Sequence, residues 1–92
     1  METNNPNPTW QNTIVVGTAG HVWIAQSVTY DGVFYHMHDA KIIRTWGTEQ
    51  GLNQLVNGPT KNTVTDASAP LVSLVASATI CLIPCSEGKW KW

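Results

Sequence analysis

The chain has 92 residues, with 5 Lys and Arg against 6 Asp and Glu, for a formal net charge of −1. That length holds one domain, which excludes a two-domain enzyme and any site needing a large α/β scaffold. With 12% of residues charged there is no basic face for strong nucleic-acid binding, 42% hydrophobic content and five Trp argue against disorder, and no run of about 18 apolar residues can span a membrane.

In chain order, residues 1–12 are polar, carry Pro6 and Pro8, and are expected to form a flexible arm, with Trp10 docking somewhere. The N-terminus has neither a basic start nor an apolar stretch, so no secretory signal is expected. Thr13 to Val16 is a short β-branched run stopped by Gly17 and Gly20. His21 to Tyr30 and Val33 to His38 read as strands joined by a tight turn at Asp31-Gly32. A two-residue turn sets Tyr30 opposite Val33, Val28 opposite Tyr35 and Gln26 opposite Met37. These residues then share a core face with Val22 and Ile24. The other face carries Trp23, Ala25, Ser27, Thr29, Phe34, His36 and His38. Ala40 to Trp46 is a third strand. Thr48 is expected to cap a short helix bearing Leu52, Leu55 and Val56, stopped by Asn57-Gly58-Pro59. Thr60 to Asp66 is a polar loop or short edge strand. Leu71 to Ile83 is one long bent strand, or two with a break near Ala76-Ser77, and Pro84 ends it. The fold class is therefore mainly β (α+β): a small curved sheet or SH3-like or OB-like barrel of about five short strands with one short helix. Its organisation is an arm over 1–12, a β-rich domain over 13–86 and a Trp-containing tail over 87–92. Cys81 and Cys85 are expected to be free thiols in a reducing compartment, one buried and one partly exposed.

The stretch from Asp31 to Val64 contains Asp39-Ala40-Lys41-Ile42-Ile43-Arg44-Thr45-Trp46-Gly47-Thr48-Glu49-Gln50-Gly51-Leu52, then Gly58-Pro59-Thr60-Lys61-Asn62-Thr63. It resembles short proteins encoded by tailed phages and prophages, grouped as a domain of unknown function. Their shared pattern is D-A-(K/R)-x-I-x-x-W-G-T-x-x-G-L, then a G-P-T-K-x-T loop and a late strand ending near Ile-x-Cys. The resemblance covers residues 31–86. It implies a phage gene product acting in a bacterial cytoplasm and brings no activity with it.

Three constellations bear on chemistry. Arg44 and Trp46 alternate on a strand ahead of Thr48 at the expected helix N-terminus, offering a cation, a stacking surface and free N–H groups to a phosphorylated ligand. Thr60 and Lys61 in the Gly-Pro-Thr-Lys loop add hydroxyl and ammonium groups, without the glycine spacing of a P-loop. A second candidate is the face of Trp23, His36 and His38. Histidines at i and i+2 share a strand face, yet a third ligand from His21 or Asp39 is needed, so no metal is expected. No Ser-His-Asp order, carboxylate dyad or nucleophile motif stands out, so neither enzyme activity nor a cofactor is expected. The resulting expectation is a phage-encoded binding protein. It acts as a homo-oligomer and sequesters a nucleotide-type immune signal of the host, cyclic or ADP-ribose-like. The alternative is a protein–protein inhibitor or assembly component with Trp interface anchors.

Overall fold

The computed structural model describes residues 9–49 and 51–92. Six strands form an open curved antiparallel sheet: β1 (Thr9–Gly17), β2 (Val22–Tyr30), β3 (Phe34–Thr45), β4 (Val64–Thr65), β5 (Ala69–Val75) and β6 (Thr79–Pro84). The order is β4-β3-β2-β1-β6, with β5 also paired to β3. β4 takes the Ile43–Thr45 end of β3 and β5 takes Phe34 to Ala40. β1 starts at Thr9, so Thr9–Asn12 belongs to the sheet; the rest of the expected arm, residues 1–8, lies outside the described residues. The two strands expected over Val33–His38 and Ala40–Trp46 are one strand, and the long apolar stretch divides at a 3₁₀ turn over Ala76–Ala78.

The β2–β3 hairpin forms at the expected place in a different register. Tyr30 pairs with Tyr35, Val28 with Met37 and Ser27 with His38. The cause is Asp31: its Oδ1 accepts the Val33 and Phe34 N–H groups at 2.8 and 2.7 Å, an Asx-type cap that widens the loop. The slip is two residues, so the face parity of every side chain survives.

A crease crosses the sheet. Asn12 of β1, Gln26 of β2, Asp39 of β3 and Pro70 of β5 occupy one row, and all three strand pairings skip it. Asn12 and Asp39 have φ of +48° and +53°, which Asn and Asp tolerate better than other side chains. Pro70 brings no N–H to this row. Because the strands break step in the same row, the register continues unchanged while the in–out alternation inverts. Val28 and Ala25 thus share a face, as do Met37 and Ala40, contrary to a two-residue period.

Two cores result. On the concave face, Val15, Ala25, Val28, Met37 and Ala40 pack with Trp10, Trp23, Tyr35, Val72, Leu74 and Leu82. The curl is tight. A Cβ on Gly17 at the end of β1 would lie 3.2 Å from the Trp23 ring and 3.3 Å from Leu74 of β5. On the opposite face, Ile14, Val22, Ile24 and Ile43 pack beneath Leu55 and Trp90. The Val22 and Ile24 side chains are therefore core residues of the second cluster, while Gln26 and Val33, expected with them, are exposed.

The expected helix is a 3₁₀ helix over Leu52–Asn57. Gly51, at φ +88°, occupies its N-cap, and no side chain caps it; Thr48 lies outside it. Gly58 ends it, its N–H donating to the Leu55 carbonyl at 2.9 Å. The C-terminal residues fold back onto the domain. Trp90 is 6% exposed and fills the core of its own chain.

Candidate functional site

The Gly-Pro-Thr-Lys loop is stapled to the chain after β3. Thr60 Oγ1 donates to the Gly47 carbonyl and Thr63 Oγ1 to the Trp46 carbonyl, both at 2.7 Å. Thr63 Oγ1 also accepts the Thr60 N–H at 2.9 Å. Opposite this loop lies Lys89-Trp90-Lys91. The indole Nε1–H of Trp90 donates to the Leu55 carbonyl at 2.9 Å, a buried bond that anchors the segment. With Trp90 drawn inward, its lysine neighbours stay at the surface. Lys41 reaches across from β3, its Nζ donating to the Lys91 carbonyl at 2.9 Å and lying 5.7 Å from the centre of the Trp92 ring.

Between these walls is a cleft of about 420 Å³ lined by Lys41, Pro59, Thr60, Thr63, Thr65, Lys89, Trp90 and Lys91. Three of the five cationic residues of the chain meet there, and among the described residues no carboxylate lines it. Positive charge gathered over a low-dielectric wall concentrates anions. The size suits a small molecule. The hydroxyls of Thr60 and Thr63 are engaged in holding the loop, which leaves the lysine ammonium groups as the point charges this cleft offers.

Of the residues expected at a phosphate site, only Thr60 lines this cleft. Arg44 is exposed, and its Nε donates to Asp66 Oδ1 at 2.6 Å; that carboxylate raises its already high pKa. Trp46 is exposed, Thr48 is half-buried, and Lys61 points to solvent at the loop tip. The anion site expected at a helix N-terminus is absent, because Gly47 and Thr48 lead into no helix. In the second candidate set, Trp23 stacks on His21 with ring centres 5.7 Å apart, and packs against the concave core. His38 lies beside Leu71 in the β3–β5 pairing. His36 lies between Asp31 and Ser73: Nε2 is 2.7 Å from Asp31 Oδ2 and Nδ1 is 2.7 Å from Ser73 Oγ. Among the described residues, no group of three or more His, Cys, Asp or Glu is placed to hold a metal ion.

The lysines of the cleft were missed because Lys41 is far in sequence from Lys89 and Lys91. The available signal was the Lys-Trp-Lys-Trp alternation, where one residue type seeks the core and the other avoids it. Cys81 and Cys85 are both free thiols, Cys81 exposed and Cys85 half-buried. Burial pushes the Cys85 thiol up, the opposite of an activated nucleophile. Among the described residues, no helix is long and apolar enough to cross a membrane. No protein-family model, curated protein or solved structure matches the chain.

Proposed function

We propose that this protein binds and sequesters a small phosphorylated ligand of nucleotide type in the Lys41–Lys89–Lys91 cleft, without transforming it. The observation that carries the reading is the convergence of three of five cationic residues on one cleft that no carboxylate of the described residues lines. Trp92, beside Lys41, supplies an aromatic surface for a base. The resemblance to short phage proteins adds the biological setting. A compact protein in the bacterial cytoplasm that removes a cyclic or ADP-ribose-type signal would blunt host immunity. Assembly into a homo-oligomer belongs to this proposal. It is supported by low charge and by large apolar side chains left at the surface, Leu71 at 54% and Ile80 at 64% exposure.

The test is a thermal-shift titration of the purified protein with pyrophosphate, ADP-ribose and cyclic nucleotides. At about 100 times Kd a bound ligand adds about 2.7 kcal/mol, which moves Tm by roughly 10–20 °C in a domain this small. The double variant Lys89→Ala/Lys91→Ala should lose the shift and Arg44→Ala should keep it. An equal response from both variants refutes the cleft as the site. The exposed Leu71 and Ile80 favour a second reading, a protein–protein inhibitor or assembly component. Under that reading no phosphorylated compound shifts Tm, and a host or phage protein co-purifies stoichiometrically.

A further inference from the structure

The Asp31–His36–Ser73 relay lies on the exposed side of the β3–β5 pair, apart from the lysine cleft, and three strictly local facts define it. His36 and Ser73 face each other across the pairing. The Ala76 N–H donates to the Val33 carbonyl at 2.8 Å, which fixes the alternation of the ladder. In that alternation His36 and Ser73 form a non-hydrogen-bonded pair, the kind with the closest side chains, and the Ser73 N–H points to the open edge of β5. Asp31 is held at the hairpin by the Val33 and Phe34 N–H groups through Oδ1, leaving Oδ2 for His36. These two N–H groups and His36 hold the Asp31 carboxyl down at about 2, so it is ionised at neutral pH. An ionised carboxylate accepts only, so His36 Nε2 carries the proton and donates. Its Nδ1 then presents a lone pair to the Ser73 hydroxyl, 2.7 Å away. This is the logic of a serine nucleophile with its base and orienting acid, with the two ring nitrogens exchanged.

We propose that Ser73 is an activated nucleophile that accepts acyl groups from small apolar esters. Ser73 Oγ attacks the ester carbonyl and forms the new C–O bond as its proton passes to His36 Nδ1. The ester C–O bond breaks, and the alkoxide or phenoxide leaves with that proton. Water, deprotonated by His36, then releases the carboxylic acid and restores Ser73. The Ser73 N–H, directed to the open edge, is a donor for the developing oxyanion. Leu71 and Val75, two residues to either side of Ser73 on the same face, and Phe34, opposite Val75, supply an apolar wall for the acyl group. Asp31 acts through His36 and is a positioning residue.

The experiment reacts the full chain with a fluorophosphonate, followed by intact and peptide mass spectrometry, and with p-nitrophenyl butyrate. One adduct on Ser73 is expected, absent in Ser73→Ala. General-base assistance contributes about a hundredfold, so His36→Gln should slow labelling by about that factor. Asp31→Asn keeps an oxygen for the hairpin N–H groups but offers His36 a donor, which should move the ring proton from Nε2 to Nδ1. Imidazole ¹⁵N shifts read that tautomer change directly, and labelling should fall with it in a variant whose circular dichroism shows the fold retained. Labelling spread over several residues, no labelling at all, or His36→Gln reacting at the parent rate would overturn the proposal. Because the relay is remote from Lys41, Lys89 and Lys91, failure here leaves the phosphate-binding reading untouched.

Discussion

Trp90 is the residue on which the domain and its cleft both depend. It is 6% exposed, packs with Ile14, Val22, Ile24, Ile43 and Leu55, and donates its indole N–H to the Leu55 carbonyl at 2.9 Å. Trp90→Phe keeps much of the apolar volume and removes one of the two donors to the Leu55 carbonyl, which retains the Gly58 N–H, so the cost is that of one net hydrogen bond, about 0.5–1.5 kcal/mol, or roughly 2–12 °C in Tm. Trp90→Ala adds a cavity, and large-to-small changes of this kind cost about 3–5 kcal/mol. A chain of this length is expected to have only about 5–14 kcal/mol of net stability, so that variant should be marginally folded. Urea denaturation monitored by far-UV circular dichroism separates these outcomes: the midpoint should fall in both variants, with the slope unchanged in Trp90→Phe. Phosphate-ligand binding should survive in Trp90→Phe, because Lys89 and Lys91 remain anchored, and vanish in Trp90→Ala. If Trp90→Ala lies within about 0.5 kcal/mol of the parent, as a surface substitution would, the C-terminal segment is not part of the core and the cleft does not exist as described.

Two further outcomes follow from local geometry. Gly58 sits at φ +103°, and a Cβ there would lie 2.7 Å from the Lys89 carbonyl oxygen, so Gly58→Ala should cost about 1–3 kcal/mol by denaturation; Gly20→Ala, with φ +78° and open space around it, should cost less, and equal losses would refute the Lys89 contact. Asp31 has its carboxyl pKa lowered from 3.8 to about 2, chiefly by the Phe34 N–H and then by His36, so its contribution to stability is complete above pH 3.8 and is lost as pH falls through about 2; Asp31→Asn should flatten the stability profile across that window, and an Asp31 titration midpoint near 3.8 by NMR would contradict the capped hairpin.

The strands were legible because alternation and turn residues are local signals. Asp31-Gly32 marked the hairpin, and the register slipped by two only because the Asp31 carboxylate binds two N–H groups of its own loop, a choice between turn types that the dipeptide does not encode. The segment after Trp46 departs from the expected helix because Thr48 resembles a cap, whereas Gly51 at positive φ, four residues after Gly47, is the N-cap of a shorter 3₁₀ segment. The crease had no local signature. Asn12, Gln26, Asp39 and Pro70 mean little singly, and their alignment in one row is a property of three registers taken together. The same holds for the sites: Lys41 with Lys89 and Lys91, or Asp31 and His36 with Ser73, are neighbours only after the sheet has formed.

The crease also explains why the two sites occupy different ends of one strand. Before Asp39, the even-numbered residues of β3 point away from the concave core, which places His36 and His38 on the outer face opposite Ser73 and Leu71. After Asp39 the alternation inverts: Ala40 turns to the concave core, and Ile43 joins the cluster under Leu55 and Trp90 on the outer face. Lys41 shares the parity of Ile43 and so emerges at the margin of the covered half, where Lys91 and Trp92 meet it. The outer face is thus divided along one row of residues. One half is roofed by the 3₁₀ helix and the C-terminal segment and ends in a cationic cleft. The other is bare and carries a hydrogen-bonded Asp-His-Ser set among apolar neighbours. A sheet without the left-handed residue at Asp39 would send Lys41 into the concave core, where an unpaired ammonium costs several kcal/mol, and would bring Ile43 to the core face in place of Ala40. The positive φ at a single aspartate therefore decides which side chains of β3 are available for binding and which are spent on packing.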